Sequence, residues 1–206
     1  MEGDLKPSAL GTFSPEAGII PRTLHRLFHM LEDSDFTLRV SFLELYNEEL
    51  RDLNASEGVT DSDETPSGSQ SSSPQLKIFD DASRKGGVVV QGLEETYIKD
   101  AAAGIKILTR GSQRRQQAST KCNDHSSRSH SIFTITVTLK EVSSKGEDLV
   151  KVGKLNLVDL AGSENVGRSG AVMVRAREAG MINQSLLTLG RVINALVEKS
   201  SHVPYR

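Results

Sequence analysis

Two short stretches of the chain carry residue types suited to phosphate chemistry. In "KLNLVDLAGSEN", residues 154–165, an apolar run ends in a carboxylate and a glycine. Leu155, Leu157, Val158 and Leu160 suit a strand buried on both faces, with Asp159 at its carboxyl end, where open α/β sheets place their ligands. A carboxylate there can hold magnesium through water, and a following glycine lets a backbone N–H approach a terminal phosphate unobstructed. The pattern is weak by itself, because many buried strands end in Asp then Gly simply to turn.

The second stretch, "NDHSSRSHS" at residues 123–131, improves the case. It sets the hydroxyls of Ser126, Ser127 and Ser129 beside Arg128 in a loop just before a strand, a set suited to ordering around a phosphate and its magnesium. A solvated polar loop would have the same composition. His125 and His130 could suggest a metal pair, but no nearby Cys or third ligand supports zinc, so both read as surface or packing histidines. Arg128 and Glu164 are opposite charges on the two separate loops. If both loops converge on a terminal phosphate, a bidentate contact between them could close the loops; exposed, it would add little stability, so its value would be as a switch. One component is missing: no Gly-Lys-Ser or Gly-Lys-Thr occurs, so the chain has no GxxxxGK[ST] phosphate loop.

The elements that must position these loops can be read from periodicity. Residues 1–17 read as loop, and a helix follows with Pro21 in its first turn and Ile20, Leu24, Leu27, Phe28 and Leu31 at helical spacing. "FTLRVSFLELYNEEL" alternates through Phe36, Leu38, Val40 and Phe42 before Leu43 and Leu45 take the other parity, as in one strand with a bulge or two covered faces. Residues 54–75 are Ser-rich and acidic with no Lys or Arg, and read as a flexible insert within a single domain spanning 1–206. Ser73 before Pro74 is a phosphorylation candidate there, although a plain linker is the favoured reading. Short strands are expected at 76–79 and 88–90, and a helix from Asp100, its cap, to Arg115. "SIFTITVTL" at 131–139 alternates as a half-buried strand, and "SSKGED" turns it into a hairpin with 149–160. Ile182, Leu186, Leu189, Ile193 and Leu196 mark one stripe of a long amphipathic helix.

The bulk properties bound the function. A chain of 206 residues with 36% hydrophobic and 25% charged residues can build one sizeable core. Its net charge of −2 argues against a wholesale nucleic-acid binder. The lone Cys122 allows no internal disulfide and points to a reducing, intracellular setting. No apolar stretch reaches membrane-spanning length, and "MEGDLKPSALGTFSPE" has no signal-peptide core, so a cytosolic or cytoskeletal protein without a membrane partner is expected.

"NDHSSRSH" and "LNLVDLAGSE" resemble the two switch motifs of the kinesin motor domain, and "AGIIPRTLHRLF", "LELYNEELRDL", "GLEE", "RSGAVMVRAREAGMINQSLLTLGRVINAL" and "HVPYR" resemble kinesin sequence in the same order. "AGIIPRTLH" and "ENVGRSGAV" most resemble the kinesin-five class of bipolar, tetrameric spindle motors. The resemblance implies an α/β fold, an incomplete kinesin-type P-loop NTPase motor with a mixed central β-sheet flanked by helices. It implies ATP and Mg2+ as cofactors and microtubules (tubulin) as partner, on the spindle and in the cytoskeleton, with a homo-oligomeric parent joined through a coiled coil outside this chain. Carried over by position, Ser126 and Ser127 contact phosphate and magnesium, Asn123 organises the attacking water, Asp159 holds magnesium through water, the Gly162 amide senses the γ-phosphate, and Arg128 and Glu164 form the switch latch.

The resemblance places "MEGD" a few residues after the phosphate loop, so the chain is expected to start just downstream of that motif, with Met1 an internal methionine, and to stop before the final helices, last strand and neck linker. Little ATP turnover is expected without the loop's N–H groups, lysine and magnesium ligand. A sheet lacking its first strands would also expose unpaired edges and apolar faces, making independent stability doubtful. Track contacts are expected from 165–181, 182–199 and 200–206, with Arg168, Arg175, Arg177, Arg191, His202 and Arg206 facing acidic tubulin; each alone could equally be a solvated charge. Met173 and Val174 depart from the family pattern, where a basic residue is usual at one of them. The competing function is a catalytically dead piece that binds microtubules at most; a small GTPase-like switch would leave the SSRSH loop and the 182–196 helix unexplained.

Overall fold

The long alternating run forms β1 (Asp35–Tyr46), the strand on which the sheet is organised. The computed structural model describes residues 1–5, 14–55, 76–81, 87–120, 128–143, 146–162 and 173–205, with 118–120 and 173–183 described by backbone alone. Leu38, Val40 and Phe42 are buried on one face of β1, and Ser41 and Leu43 on the other, so the change of parity in the sequence marks two covered faces. The chain does not run on to Leu50 as one strand. It reverses at Asn47 and Glu48, both at positive φ (51° and 64°), and returns as β2 (Glu49–Asp52) with Tyr46 opposite Glu49. Two consecutive left-handed residues make the tight hairpin turn whose twist suits antiparallel strands; with Glu in place of the usual Gly, the sequence signal was faint.

After a two-stranded sheet of β3 (Lys77–Asp81) and β4 (Gly87–Gln91), β5 (Thr96–Ile98) pairs with Leu38–Val40 of β1. On the other side of β1 lies β6 (His130–Val142), and β7 (Asp148–Asp159) forms the far edge, giving the order β2-β1-β6-β7. Every pairing among the described strands is antiparallel. The architecture is α/β, a sheet with helices against it.

Two helices cover one face. α1 (Ile19–Met30) carries Pro21 in its first turn and presents Ile20 and Leu24. α2 (Ala101–Thr120) starts where the Asp100 carboxylate accepts the Ala103 N–H at 2.7 Å, the expected cap, and runs past Arg115. Their apolar stripes meet Leu38, Val40, Phe42, Phe133, Ile135 and Ile98 in one core, with the Phe42 and Phe133 rings edge to face at 5.5 Å. α2 approaches closely because it has no side chain where it crosses: a Cβ on Gly104 would meet Leu24 at 2.9 Å, and one on Gly111 would run into the Phe42 ring. Two arginines of the same helix hold its surroundings. Arg110 and Arg114 donate to the carbonyls of Asn54 (3.1 Å) and Leu53 (3.1 Å), so Asn54 at the start of the Ser-rich segment is buried; residues 56–75 lie outside the described set.

The other side of the molecule differs from its sequence expectation. β7 is not buried on both faces: Leu155, Val158 and Leu160 are 39–47% exposed and Leu157 alone of the run is buried. The reason is positional, since β7 pairs with β6 along one edge and no described helix packs over it. α3 (Met173–Val197) has the expected apolar period, but Leu189, Ile193 and Leu196 face outward.

Candidate functional site

The antiparallel register of β6 and β7 sets the described ends of the two motifs side by side. One enters β6 and the other leaves β7, and Ser131 lies directly opposite Asp159. Asp159 is at the carboxyl end of its strand, as expected, with its side chain 44% exposed. Gly162, three residues on, is half-buried, and Arg128, at the amino end of β6, is half-buried as well.

Beneath the pair lies a buried polar cluster that the motifs do not announce. Arg115 of α2 donates from Nε to Ser129 Oγ (3.1 Å), from Nη1 to Ser131 Oγ (3.3 Å) and from Nη2 to the Ser129 carbonyl (3.2 Å). Its Nη1 is also 3.9 Å from Asp159 Oδ2, and its Nε is 3.6 Å from Glu44 Oε1 on β1. Glu44 is fully buried and has Arg51 Nη1 3.7 Å from its other oxygen. A carboxylate cannot be carried into a core without opposing charge, so Glu44 and Arg115 are best understood as one unit spanning β1, α2, β6 and β7. The signal was present in the sequence: Glu44 falls at the core parity of β1, in step with Val40 and Phe42.

His130 continues the connection. Its Nδ1 lies 3.0 Å from the Ala161 backbone nitrogen, and its Nε2 lies 3.2 Å from Ser185 Oγ on α3. Burial holds the imidazole below the ordinary histidine range; Glu48 opposes this and Arg115 reinforces it. The sequence reading of His130 as a packing histidine agrees with these contacts.

The remaining expected site residues divide by position. Asn123, Ser126, Ser127, Glu164, Arg168 and Arg206 lie outside the described residues. Arg175 and Arg177 are on the first turns of α3, where the backbone alone is described. Arg191 is exposed on α3, and His202 is exposed just beyond it.

Asp159 offers a hard oxygen donor at a strand end, which suits magnesium, a cation that keeps several waters and takes one or two carboxylates together with substrate phosphates. Among the described residues no three His, Cys, Asp or Glu side chains gather into a metal cage, and no described helix is long and apolar enough to cross a membrane.

The family model for the kinesin motor domain matches residues 1–206. The chain is 58% identical over 208 residues to kinesin-like protein bimC of Emericella nidulans, and 53% identical over 210 residues to kinesin-like protein KIF11 of Mus musculus. Both alignments take in 100% of this chain, which spans 16% of the first relative and 19% of the second. A solved structure described as a fast kinesin superposes with a TM-score of 0.76 at 40% identity, covering 100% of this chain and 52% of that one.

Proposed function

The chain belongs to the kinesin motor-domain family, and from that premise we propose that it works as part of an ATP-dependent motor moving on microtubules, in the manner of the mitotic spindle class. The observation that supports the reading is the register of Ser131 against Asp159, which sets the strand entered from the serine-bearing stretch beside the strand that leads into the DLAG residues. On this reading Ser126, Ser127 and Asp159 would hold Mg2+ and phosphate, with Asp159 acting through water, and the Gly162 amide would read the terminal phosphate. Bound Mg-ATP would supply the phosphoryl group and a metal that neutralises its developing charge. Asn123 would orient water, and Arg128 with Glu164 would latch the loops. Arg115 fixes the base of the site by gripping Ser129 and Ser131 while facing Asp159, so both loops share one anchor.

Track binding is assigned to 165–206, where Arg168, Arg175, Arg177, Arg191, His202 and Arg206 would face the acidic lattice; such contacts speed encounter and weaken with salt. Because the sequence contains no GxxxxGK[ST], the isolated chain is expected to turn over little or no ATP while keeping part of the track affinity. The test pairs ATP binding and turnover with microtubule co-sedimentation, for residues 1–206 and for the longest transcript that contains them. Microtubule-stimulated turnover by the longer protein supports the motor; tight ATP binding by 1–206 alone overturns the incomplete-site reading. Salt-sensitive co-sedimentation with no turnover by either protein favours a binding module.

A further inference from the structure

His130 opens β6, and both of its ring nitrogens are engaged by segments that belong to neither β6 nor its hairpin. A backbone N–H can only donate, so the Ala161 N–H at 3.0 Å makes Nδ1 the acceptor and leaves the ring hydrogen on Nε2. Nε2–H then donates to Ser185 Oγ at 3.2 Å. One imidazole thus joins three things: the strand that follows the serine loop, the backbone immediately before Gly162, and α3.

We infer that His130 is a positioning residue that couples the Ala161–Gly162 backbone to α3, its Nδ1 side setting the loop and its Nε2 side setting the helix. The inference rests on the motor reading for its purpose, since Gly162 is the residue proposed there to read the terminal phosphate and α3 is a proposed track element. The geometry stands apart from that purpose. A rigid five-membered ring holds its two nitrogens at a fixed separation, so movement of Ala161 must either turn the ring against Ser185 or break a hydrogen bond. A protonated ring would set a second N–H against that of Ala161, and burial disfavours this form.

The two halves can be separated chemically. In His130→Asn the side-chain oxygen can take the place of Nδ1 but is too short to reach Ser185. In His130→Gln the amide can reach the place of Nε2 but presents no acceptor to Ala161. Amide hydrogen exchange on residues 1–206, resolved by residue with NMR, reads both links. The Ala161 amide is expected to exchange about tenfold faster in His130→Gln and His130→Ala and at nearly the wild-type rate in His130→Asn. Amides over 186–196 are expected to show the opposite preference, faster in His130→Asn and retained in His130→Gln. Ser185→Ala, away from the sheet, should reproduce the His130→Asn pattern and serves if a His130 variant does not fold. Identical patterns for Asn and Gln, an unchanged Ala161 rate in His130→Ala, or equal acceleration of the core amides of Val40 and Ile135 would each overturn the inference. Neither ATP nor tubulin enters the measurement, so its failure leaves the motor reading standing, and failure of the motor assays leaves this linkage standing.

Discussion

Leu24 of α1 and Ile193 of α3 both sit in apolar stripes at helical spacing, yet Leu24 is fully buried and Ile193 is 50% exposed. The same contrast runs across the sheet: Phe133 and Ile135 of β6 are fully buried, while Val152, Leu155 and Val158 of the neighbouring β7 are 39–52% exposed. Both regions have the alternation or helical period that ordinarily marks a core. What separates them is the partner. The first has α1 and α2 laid against it, with Gly104 and Gly111 letting α2 close on Leu24 and Phe42; the second has no comparable helix against it among the described residues, and Val158 faces Val88, Val89 and Val90 of β4 across an open cavity. Periodicity reports which face of an element is apolar and says nothing of whether its cover is at hand.

The largest effect expected from this contrast lies in the packed half. Phe133→Ala removes a fully buried ring that meets Phe42 edge to face, and should cost about 4 kcal/mol by urea unfolding. Leu155→Ala, on the next strand and the same sheet, should cost less than about half as much, because much of its surface is already in water. Equal losses at the two sites would erase the distinction between the regions.

Next in size is the ionic unit that joins them. Arg115→Met leaves Glu44 buried with Arg51 3.7 Å away, and should cost about 3 kcal/mol. The double variant Arg115→Met with Glu44→Met should recover most of that loss, since an apolar pair of similar volume needs no opposing charge. A double variant no more stable than the single one would show that Arg115 acts through Ser129 and Ser131 and not through Glu44.

A smaller effect belongs to His130, at the border between the regions. Its folded-state pKa is lowered from the ordinary 6.5, so the unfolded chain takes up a proton first as the pH falls. Stability from this group is therefore complete above about pH 6.5 and declines as the pH drops below it. Urea midpoints measured between neutral and mildly acid pH should fall more steeply for the wild type than for His130→Asn, which cannot titrate.

These sites also show how far the sequence could be read. β1, β6, the Asp100 cap and the placement of Asp159 at a strand end followed from periodicity and capping chemistry, because each depends on residues close together in the chain. The Asn47–Glu48 reversal did not, since Glu at positive φ is an uncommon turn residue and no glycine marked it. The Arg115 cluster was legible only at Glu44, which stands at the core parity of β1; its partners were hidden because Glu44, Arg115, Ser131 and Asp159 come from four elements that the fold alone brings together. The exposure of β7 belongs to the same class, for an apolar strand reads alike at the centre of a sheet and at its edge.

The smallest predicted effect bears most directly on the open half. Ile193→Ser changes a side chain that is half exposed on α3, in a stripe shared with Leu189 and Leu196, and on the described packing it should shift stability by no more than about 0.5 kcal/mol. It should also leave the sedimentation coefficient of residues 1–206 unchanged across a tenfold range of concentration. A larger loss that grows with concentration would mean that the stripe is covered in solution by another copy, because only a bound partner makes stability depend on concentration. A larger loss independent of concentration would place the stripe against the chain's own sheet, with His130–Ser185 as the nearest fixed point, and α3 would then join the packed half. A null effect keeps the two regions distinct and leaves α3 held near its middle, at Ser185, with its apolar face open to whatever it meets.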